Sequence, residues 1–367
     1  MRVAFCGGGT GGHVYPALAV ASALQQQTEG QDLELLYIGV RGKIDEEIAS
    51  REGMAFRSVA AGPLRGGSPL ARLRGGAKLA AGTAQAFTIL RSFKPDVVFA
   101  SGGYGSVGVG LAARARRGKL LLFLPDVEAG MAVKTLARVA DRIAVTVPPA
   151  MESMPPDKAV LTGYPVRQEF FEAEMMVARE RLGLDPRLPT LLVSGASSGA
   201  SRLNHAVSSW ATSFLDIGQL IHLCGTADEP WLRAGVEMLP EDARSRYHLY
   251  GYMHEEMPLA MAAADLAVMR SGASVLGELP ATRLPAILIP GEYEGGYDQK
   301  ANARYMEQND AAVVLTQDKL SELQDTVMYL INNETRLANM RAALGKLARP
   351  EAAGNLARVL VELGTRN

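Results

Sequence analysis

A loop close to the start of the chain, Gly7-Gly8-Gly9-Thr10-Gly11-Gly12-His13, combines small residues with the first histidine. An imidazole that titrates near neutral pH can serve as a general base. The glycines let a substrate approach the backbone, and the N–H groups that open the following helix can face an anion. A histidine that merely caps the helix or packs on a sheet is the alternative. Gly7, Gly9 and Gly12 satisfy the G-x-G-x-x-G spacing of dinucleotide sites, a weak signal alone. The strand that follows, LELLYIG, ends in Gly39-Val40-Arg41 without the carboxylate that would hold a ribose, which argues against a dehydrogenase.

A second small-residue turn, Ser194-Gly195-Ala196-Ser197-Ser198-Gly199-Ala200, offers backbone N–H groups and the Ser197 and Ser198 hydroxyls to a diphosphate. Without a ligand it is simply a tight strand-to-helix turn. Arg270, Ser271 and Gly272 follow an apolar run, and Glu278 lies a turn or two along the next helix, where a carboxylate can accept both hydroxyls of a ribose. Asp298, Gln299 and Asn302 follow on a Gly/Tyr-rich loop suited to sugar hydroxyls. Arg167, in Thr162-Gly163-Tyr164-Pro165-Val166-Arg167, could clamp a donor or pair with a carboxylate at a hinge. Gly103 and Tyr104, in SGGYGSVGVG (101–110), either receive an acceptor's pyrophosphate or mark a close helix–strand contact.

These residues sit at the ends of short runs rich in Val, Ile and Leu: RVAFC, ELLYIG, DVVFAS, KLLLFL and RIAVTV, then TLLVSG, LIHLCG, LAVMR, PAILIP and AAVVL. Fully apolar strands alternating with helical patterns indicate an α/β fold with parallel sheets covered on both faces. RVAFC and TLLVSG each run into a small-residue turn and a helix, as a nucleotide-binding half-sheet begins. Two such starts predict two Rossmann-like domains facing a cleft. The expected boundaries are 1–163, 164–345 and a closing helical segment 346–367 that either packs on the second domain or crosses back to the first. Its pattern reads as a helix over Pro350–Leu363, with the proline in the first turn.

Apolar residues make up 48% of the chain and charged residues 21%, which excludes disorder, and the net charge of −1 gives no general pull toward nucleic acid. Cys6 and Cys224 both lie in apolar runs and read as buried thiols. The chain enters a strand at once, with no signal peptide expected, and no apolar stretch reaches the roughly 20 residues of a spanning helix. The protein is expected in the cytosol or on a membrane it does not cross. Between Gly53 and Pro95 there is no Asp or Glu, while Arg57, Arg65, Arg72, Arg74, Lys78, Arg91 and Lys94 interleave with Leu70, Leu73, Leu79, Phe87, Ile89 and Leu90. Such a segment reads as contact with an anionic membrane surface, each basic residue contributing about 1 kcal/mol. A solvated helix face is the alternative; RNA binding lacks an aromatic platform.

GGGTGGHVYPALAVA (7–21), KPDVVFASGGYGSVGVGLAA (94–113), LTGYPVR (161–167), VSGASSGASRLN (193–204) and RSGASVLGELPATRLPAILIP (270–290) together resemble the MurG family. These are the UDP-N-acetylglucosamine transferases that convert undecaprenyl-linked lipid I to lipid II. The resemblance runs in order from Arg2 to about Val314. It implies a GT-B fold, an inverting displacement, no cofactor and no metal, and the chain holds no DxD pair. It also implies a peripheral protein on the cytoplasmic face of the cell membrane, acting in peptidoglycan synthesis, cell shape and division alongside cell-wall synthesis proteins. By matching position, His13 would lie near the acceptor, with Gly103 and Tyr104 on the same side. Thr10, Gly11, Gly12, Arg167, Ser197, Met253, Glu278, Asp298 and Gln299 would contact UDP-N-acetylglucosamine. Three positions depart from the family. Phe123-Leu124-Pro125-Asp126 replaces a usual His-Glu-Gln-Asn stretch, Ser198 a usual Gln, and Asp298 a usual Gln or His. Asp126 is thereby a second candidate base beside His13.

Overall fold

The computed structural model describes residues 1–9, 11–28, 32–62, 69–195, 200–291 and 299–365, with only the helical backbone given for 69–72. The chain divides into two compact units: Met1–Arg167 together with Arg349–Asn367, and Gln168–Ala348.

The first unit is wound around a seven-stranded parallel sheet. Its strands are β1 (Arg2–Cys6), β2 (Glu34–Val40), β3 (Ala55–Val59), β4 (Val97–Ala100), β5 (Lys119–Leu124), β6 (Arg142–Val145) and β7 (Ala159–Leu161), in the spatial order β3-β2-β1-β4-β5-β6-β7. Val3 through Cys6 and Leu120 through Leu124 are wholly buried, as expected of inner strands covered by helices on both faces. The direction of winding reverses between β1 and β4, and in such sheets ligands bind beyond the carboxyl ends at that reversal. The register pairs Cys6 with Ala100, so the loops after β1 and β4 leave the sheet side by side.

The second unit repeats the winding with six parallel strands: β8 (Thr190–Ser194), β9 (Gln219–Leu223), β10 (Tyr247–Tyr250), β11 (Leu266–Arg270), β12 (Ala286–Ile289) and β13 (Ala312–Val314), in the order β10-β9-β8-β11-β12-β13. Its reversal lies between β8 and β11, where Ser194 pairs with Met269. All ten apolar runs of the sequence lie on strands. The three strands that were not anticipated, β3, β7 and β10, are all sheet edges. There one face meets solvent, and Arg57, Ser58 and His248 dilute the apolar signal.

The closing helix Ala352–Thr365 packs on helix Gly11–Gln27 of the first unit, where Gln27 Nε2 donates to Gly354 O at 3.0 Å. It starts two residues later than anticipated, leaving Pro350 in the turn before it. Within the second unit the buried Arg179 donates to Asp265 Oδ2 at 2.7 Å, Pro186 O at 2.8 Å and Ala263 O at 3.0 Å. That tie fixes helix Met175–Arg181 to the entry of β11. Cys6 and Cys224 are free and buried. No helix among the described residues is long and apolar enough to cross a membrane.

Candidate active site

At the reversal of the first sheet, two glycine loops pack backbone against backbone. A Cβ on Gly8 would lie 2.8 Å from Gly105 N, and one on Gly105 would lie 3.1 Å from Gly8 Cα. Only glycine permits that approach. Gly102 and Gly103 both take positive φ, 90° and 74°, and fold around the His13 ring. A Cβ on Gly102 would meet His13 Cε1 at 3.3 Å, and one on Gly103 would meet His13 Cδ2 at 3.0 Å and Nε2 at 3.2 Å. The SGGYG segment is therefore a close contact by construction, and what its glycines enclose is the imidazole.

The hydrogen bonding of that ring sets its chemistry. His13 Nδ1 lies 2.8 Å from the Ser101 carbonyl, which can only accept, so Nδ1 carries the proton and Nε2 keeps a lone pair. Ser101 Oγ returns a bond to His13 O at 2.7 Å and reaches Cys6 O at 3.3 Å, locking the ring's backbone to the ends of β1 and β4. Burial lowers the imidazole's pKa, while the Asp126 carboxylate, the Ser101 carbonyl and Asp45 oppose that shift. A neutral ring with its lone pair on Nε2 is the form a general base requires. Asp126 is half-buried two residues beyond β5, the strand next to β4. Sequence reasoning named His13 and Asp126 but missed Ser101, whose signal was its place at the end of an apolar strand just before two glycines.

Tyr104 opens helix Tyr104–Ala115, with its hydroxyl facing Gly9: a Cβ there would lie 2.7 Å from it. Gly11 and Gly12 begin helix Gly11–Gln27, and Tyr164 Oη donates to Gly12 O at 3.2 Å, so TGYP is tied to the first glycine loop. Arg167 places its guanidinium 5.1 Å from the Tyr15 ring centroid, a cation–π stack one turn from the loop.

In the second unit the corresponding loop ends carry a polar cluster. Ser271 Oγ donates to Gln299 O at 3.0 Å, Gly291 N donates to Gln299 Oε1 at 2.8 Å, and Asn302 Nδ2 donates to Ser271 O at 3.1 Å. Gln299 and Asn302 are 5% and 1% exposed, and Asn302 belongs to helix Lys300–Gln308, not to a loop. Asn302 thus braces the end of β11, while the Gln299 amide nitrogen lies 3.6 Å from a Cβ on Gly272. Arg270 donates to Pro290 O at 3.4 Å. Glu278 is half-buried in the first turn of helix Val275–Thr282, and Met253 is buried just after β10. Beside β8, Tyr247 Oη donates to His222 Nδ1 (2.7 Å), His222 Nε2 to Asn204 Oδ1 (3.0 Å), and Asn204 Nδ2 to Asp228 Oδ2 (2.7 Å). Burial pushes the His222 pKa down to about 4, against the pull of the Asp228 carboxylate. Asn204 thereby anchors the first turn of helix Ser201–Leu215, which leaves the second small-residue loop. Thr10, Ser197, Ser198 and Asp298 lie outside the described residues.

Two parallel sheets that share the 3-2-1-4-5-6 winding, the first extended by β7, give the chain the architecture of the GT-B fold. Residues 3–145 match the glycosyltransferase family 28 N-terminal domain and residues 190–356 the glycosyltransferase family 28 C-terminal domain. The chain is 37% identical to the UDP-N-acetylglucosamine–N-acetylmuramyl-(pentapeptide) pyrophosphoryl-undecaprenol N-acetylglucosamine transferase of Roseiflexus sp. (strain RS-1), covering 100% of this chain and 96% of that one. The chain belongs to this transferase family. Among solved structures, Acinetobacter baumannii MurG shares the fold with a TM-score of 0.71 at 24% identity, over 98% of this chain and 99% of that one. So does a UDP-GlcNAc 2-epimerase from Neisseria meningitidis bound to UDP-GlcNAc, with a TM-score of 0.66 at 14% identity and full coverage of both chains.

Proposed function

We propose that this enzyme transfers N-acetylglucosamine from UDP-N-acetylglucosamine to the 4-hydroxyl of the muramyl sugar of lipid I, with UDP leaving and lipid II formed. The observation that carries the reading is the full-length correspondence with a transferase of that name at 37% identity. The first unit supports it with a neutral imidazole whose Nε2 is available to take the hydroxyl proton as the oxygen attacks the anomeric carbon. Asp126 is the second candidate for that role. Gly103 and Tyr104 belong to the acceptor side. Departing UDP would be stabilised by backbone N–H groups and helix N-termini at the small-residue loops, including Thr10, Gly11, Gly12 and Ser197. Glu278 suits the ribose hydroxyls, with Arg167, Met253, Asp298 and Gln299 completing the donor side. Domain roles follow: acceptor and membrane on residues 1–163, donor on 164–345.

A membrane-borne acceptor also accounts for the helix Pro69–Phe93, where Leu73 (71% exposed), Phe87 (39% exposed), Arg74, Lys78 and Arg91 all meet solvent. The enzyme would work as a peripheral protein on the cytoplasmic face of the cell membrane, within peptidoglycan synthesis and hence cell shape and division. Incubation with UDP-N-acetylglucosamine and a short-chain lipid I analogue tests the transfer. UDP release that requires both substrates is expected. No release above background, or interconversion of UDP-sugars with no acceptor present, removes it in favour of the epimerase that shares the fold. Charge reversal at Arg72, Arg74 and Lys78 should abolish co-sedimentation with anionic vesicles; persistence would make the strip a solvated face.

A further inference from the structure

The first turn of helix Gly11–Gln27 carries a gap in its bonding that its own sequence creates. In an α-helix the carbonyl of one residue accepts the amide four positions later. The helical partner of Gly12 O would be the amide of residue 16, and residue 16 is Pro16, which has no N–H. The Gly12 carbonyl shares its peptide plane with the His13 amide, so a group that fixes this carbonyl also fixes how the chain enters His13. Glycine at 11 and 12 sets no steric limit of its own on that plane.

The missing donor comes from 152 positions away, where Tyr164 Oη donates to Gly12 O at 3.2 Å. The Tyr164 ring is 4% exposed and lies edge-on to Phe123 of β5, with centroids 5.9 Å apart at 61°. Phe123 is fully buried and stacks on Phe99 of β4 at 6.2 Å, so the tyrosine stands on a row of aromatics that crosses the sheet. The backbone leading to it is held as well. The amides of Thr162 and Gly163 both donate to Val145 O at the end of β6, at 3.0 and 3.3 Å. Gly163, with φ 89°, packs so closely on the turn before the closing helix that a Cβ there would stand 2.9 Å from Arg349 Cβ.

Three hydrogen bonds therefore converge on His13. The Ser101 carbonyl takes the Nδ1 proton at 2.8 Å, Ser101 Oγ binds the His13 carbonyl at 2.7 Å, and Tyr164 binds the peptide that precedes it. The ring and both flanking peptides are each held by a partner remote in sequence. We propose that Tyr164 is a positioning residue for His13: its hydroxyl supplies the bond that Pro16 denies to Gly12, and so holds the imidazole with Nδ1 on the Ser101 carbonyl and the lone pair on Nε2. The proposal rests on the reading of His13 as the base and deepens it. The hydroxyl acts through the Gly12–His13 peptide and takes no part in the transfer itself.

Tyr164→Phe tests this, because it keeps the ring and its packing and removes only the donor. UDP release with both substrates saturating should fall about tenfold, less than the ~10²–10⁴ of the base itself, since the two Ser101 bonds remain. The KM for UDP-N-acetylglucosamine should change much less than kcat. Pro16→Ala returns an amide at residue 16, so the double variant Tyr164→Phe/Pro16→Ala should recover near-wild-type turnover, and Pro16→Ala alone should retain it. Nitrogen NMR of selectively labelled histidine, with His13→Gln assigning the resonance, reads the tautomer. The share of His13 protonated at Nδ1 should fall in Tyr164→Phe and return in the double variant, whereas a packing defect elsewhere would lower the melting temperature without moving it. A folded Tyr164→Phe with turnover and tautomer unmoved, or a loss that Pro16→Ala does not repair, overturns the proposal. If the double variant does not accumulate, the tautomer in Tyr164→Phe decides alone. A wild type that releases no UDP, or a His13→Gln variant at the wild-type rate, overturns the reading of His13 as the base instead, while the tautomer still reports on Tyr164.

Discussion

Replacing Gly103 with alanine should disable the first unit while leaving the nucleotide side intact. Gly103 has φ 74° and ψ 165°, a region reserved for glycine that costs another residue about 1–3 kcal/mol. The new methyl would stand 2.8 Å from Gly8 O and 3.0 Å from His13 Cδ2, overpacking worth about another 1–3 kcal/mol. Backbone surrounds it on one side and the imidazole on the other, so relief means moving the loop off the ring or the ring off the loop. Either shift disturbs Nε2, which would be 3.2 Å from the methyl. A displacement of about 1 Å at the reacting centre costs roughly 10²-fold in rate. UDP release with both substrates saturating should therefore fall by about 10²-fold, with UDP affinity by calorimetry falling much less. Gly130→Ala is the control, since Gly130 has φ −69° and nothing within 4 Å of its Cβ position. Turnover of Gly103→Ala within threefold of wild type would refute the packing of this loop on His13.

The two candidate bases separate by pH profile. If His13 is the base, His13→Gln lowers kcat by about 10²–10⁴ and abolishes the acid limb, while Asp126→Asn, which removes charge that raises the His13 pKa, shifts that limb to lower pH; the converse pattern assigns the role to Asp126. Glu278→Ala should weaken UDP binding by about 1–3 kcal/mol in calorimetry, the scale of lost charge-assisted hydrogen bonds, and unchanged affinity removes it from the site. Arg179→Ala strips a partner from Asp265 and should cost about 3 kcal/mol in urea unfolding, the low end for a buried pair because Asp265 is partly exposed. Gly76→Ala has the opposite sign: on an exposed turn of helix Pro69–Phe93 with nothing near its Cβ position, it should stabilise by about 0.5–1 kcal/mol, and a loss would mean that this stretch is not helical.

What the sequence made legible follows from how many faces each element buries. Strands such as RVAFC and KLLLFL are apolar and buried after their first residue because helices cover both sides, and such runs cannot be mistaken for loops. β3, with Arg57 and Ser58, alternates instead, and β7 is only three residues long, so neither stood out. At the site, the glycine loops and His13 were visible as residue types. Their meaning was not, because it depends on partners remote in sequence: Ser101 lies 88 positions from His13. Asn302 misled in the other direction. Its polar neighbours suggested a sugar-facing loop, whereas it is buried in a helix with its amide spent on Ser271 O.

The alignment of Cys6 with Ala100 explains why glycines, more than polar side chains, shape the surroundings of His13. That register brings two strand ends level, so the loops leaving them must share one space, and only residues without Cβ atoms can do so at Gly8, Gly103 and Gly105. The space they leave is filled by the His13 ring, whose tautomer is set by a main-chain carbonyl of the neighbouring strand. A ring oriented by backbone should tolerate changes of polar side chains around it better than the loss of a single glycine. The second unit, with the same winding, solves the corresponding position with Ser271, Gln299 and Asn302 locked to one another. There the vulnerable residues are the polar ones, so alanine substitutions in the two units should fail for opposite reasons: excess volume in the first, lost hydrogen bonds in the second.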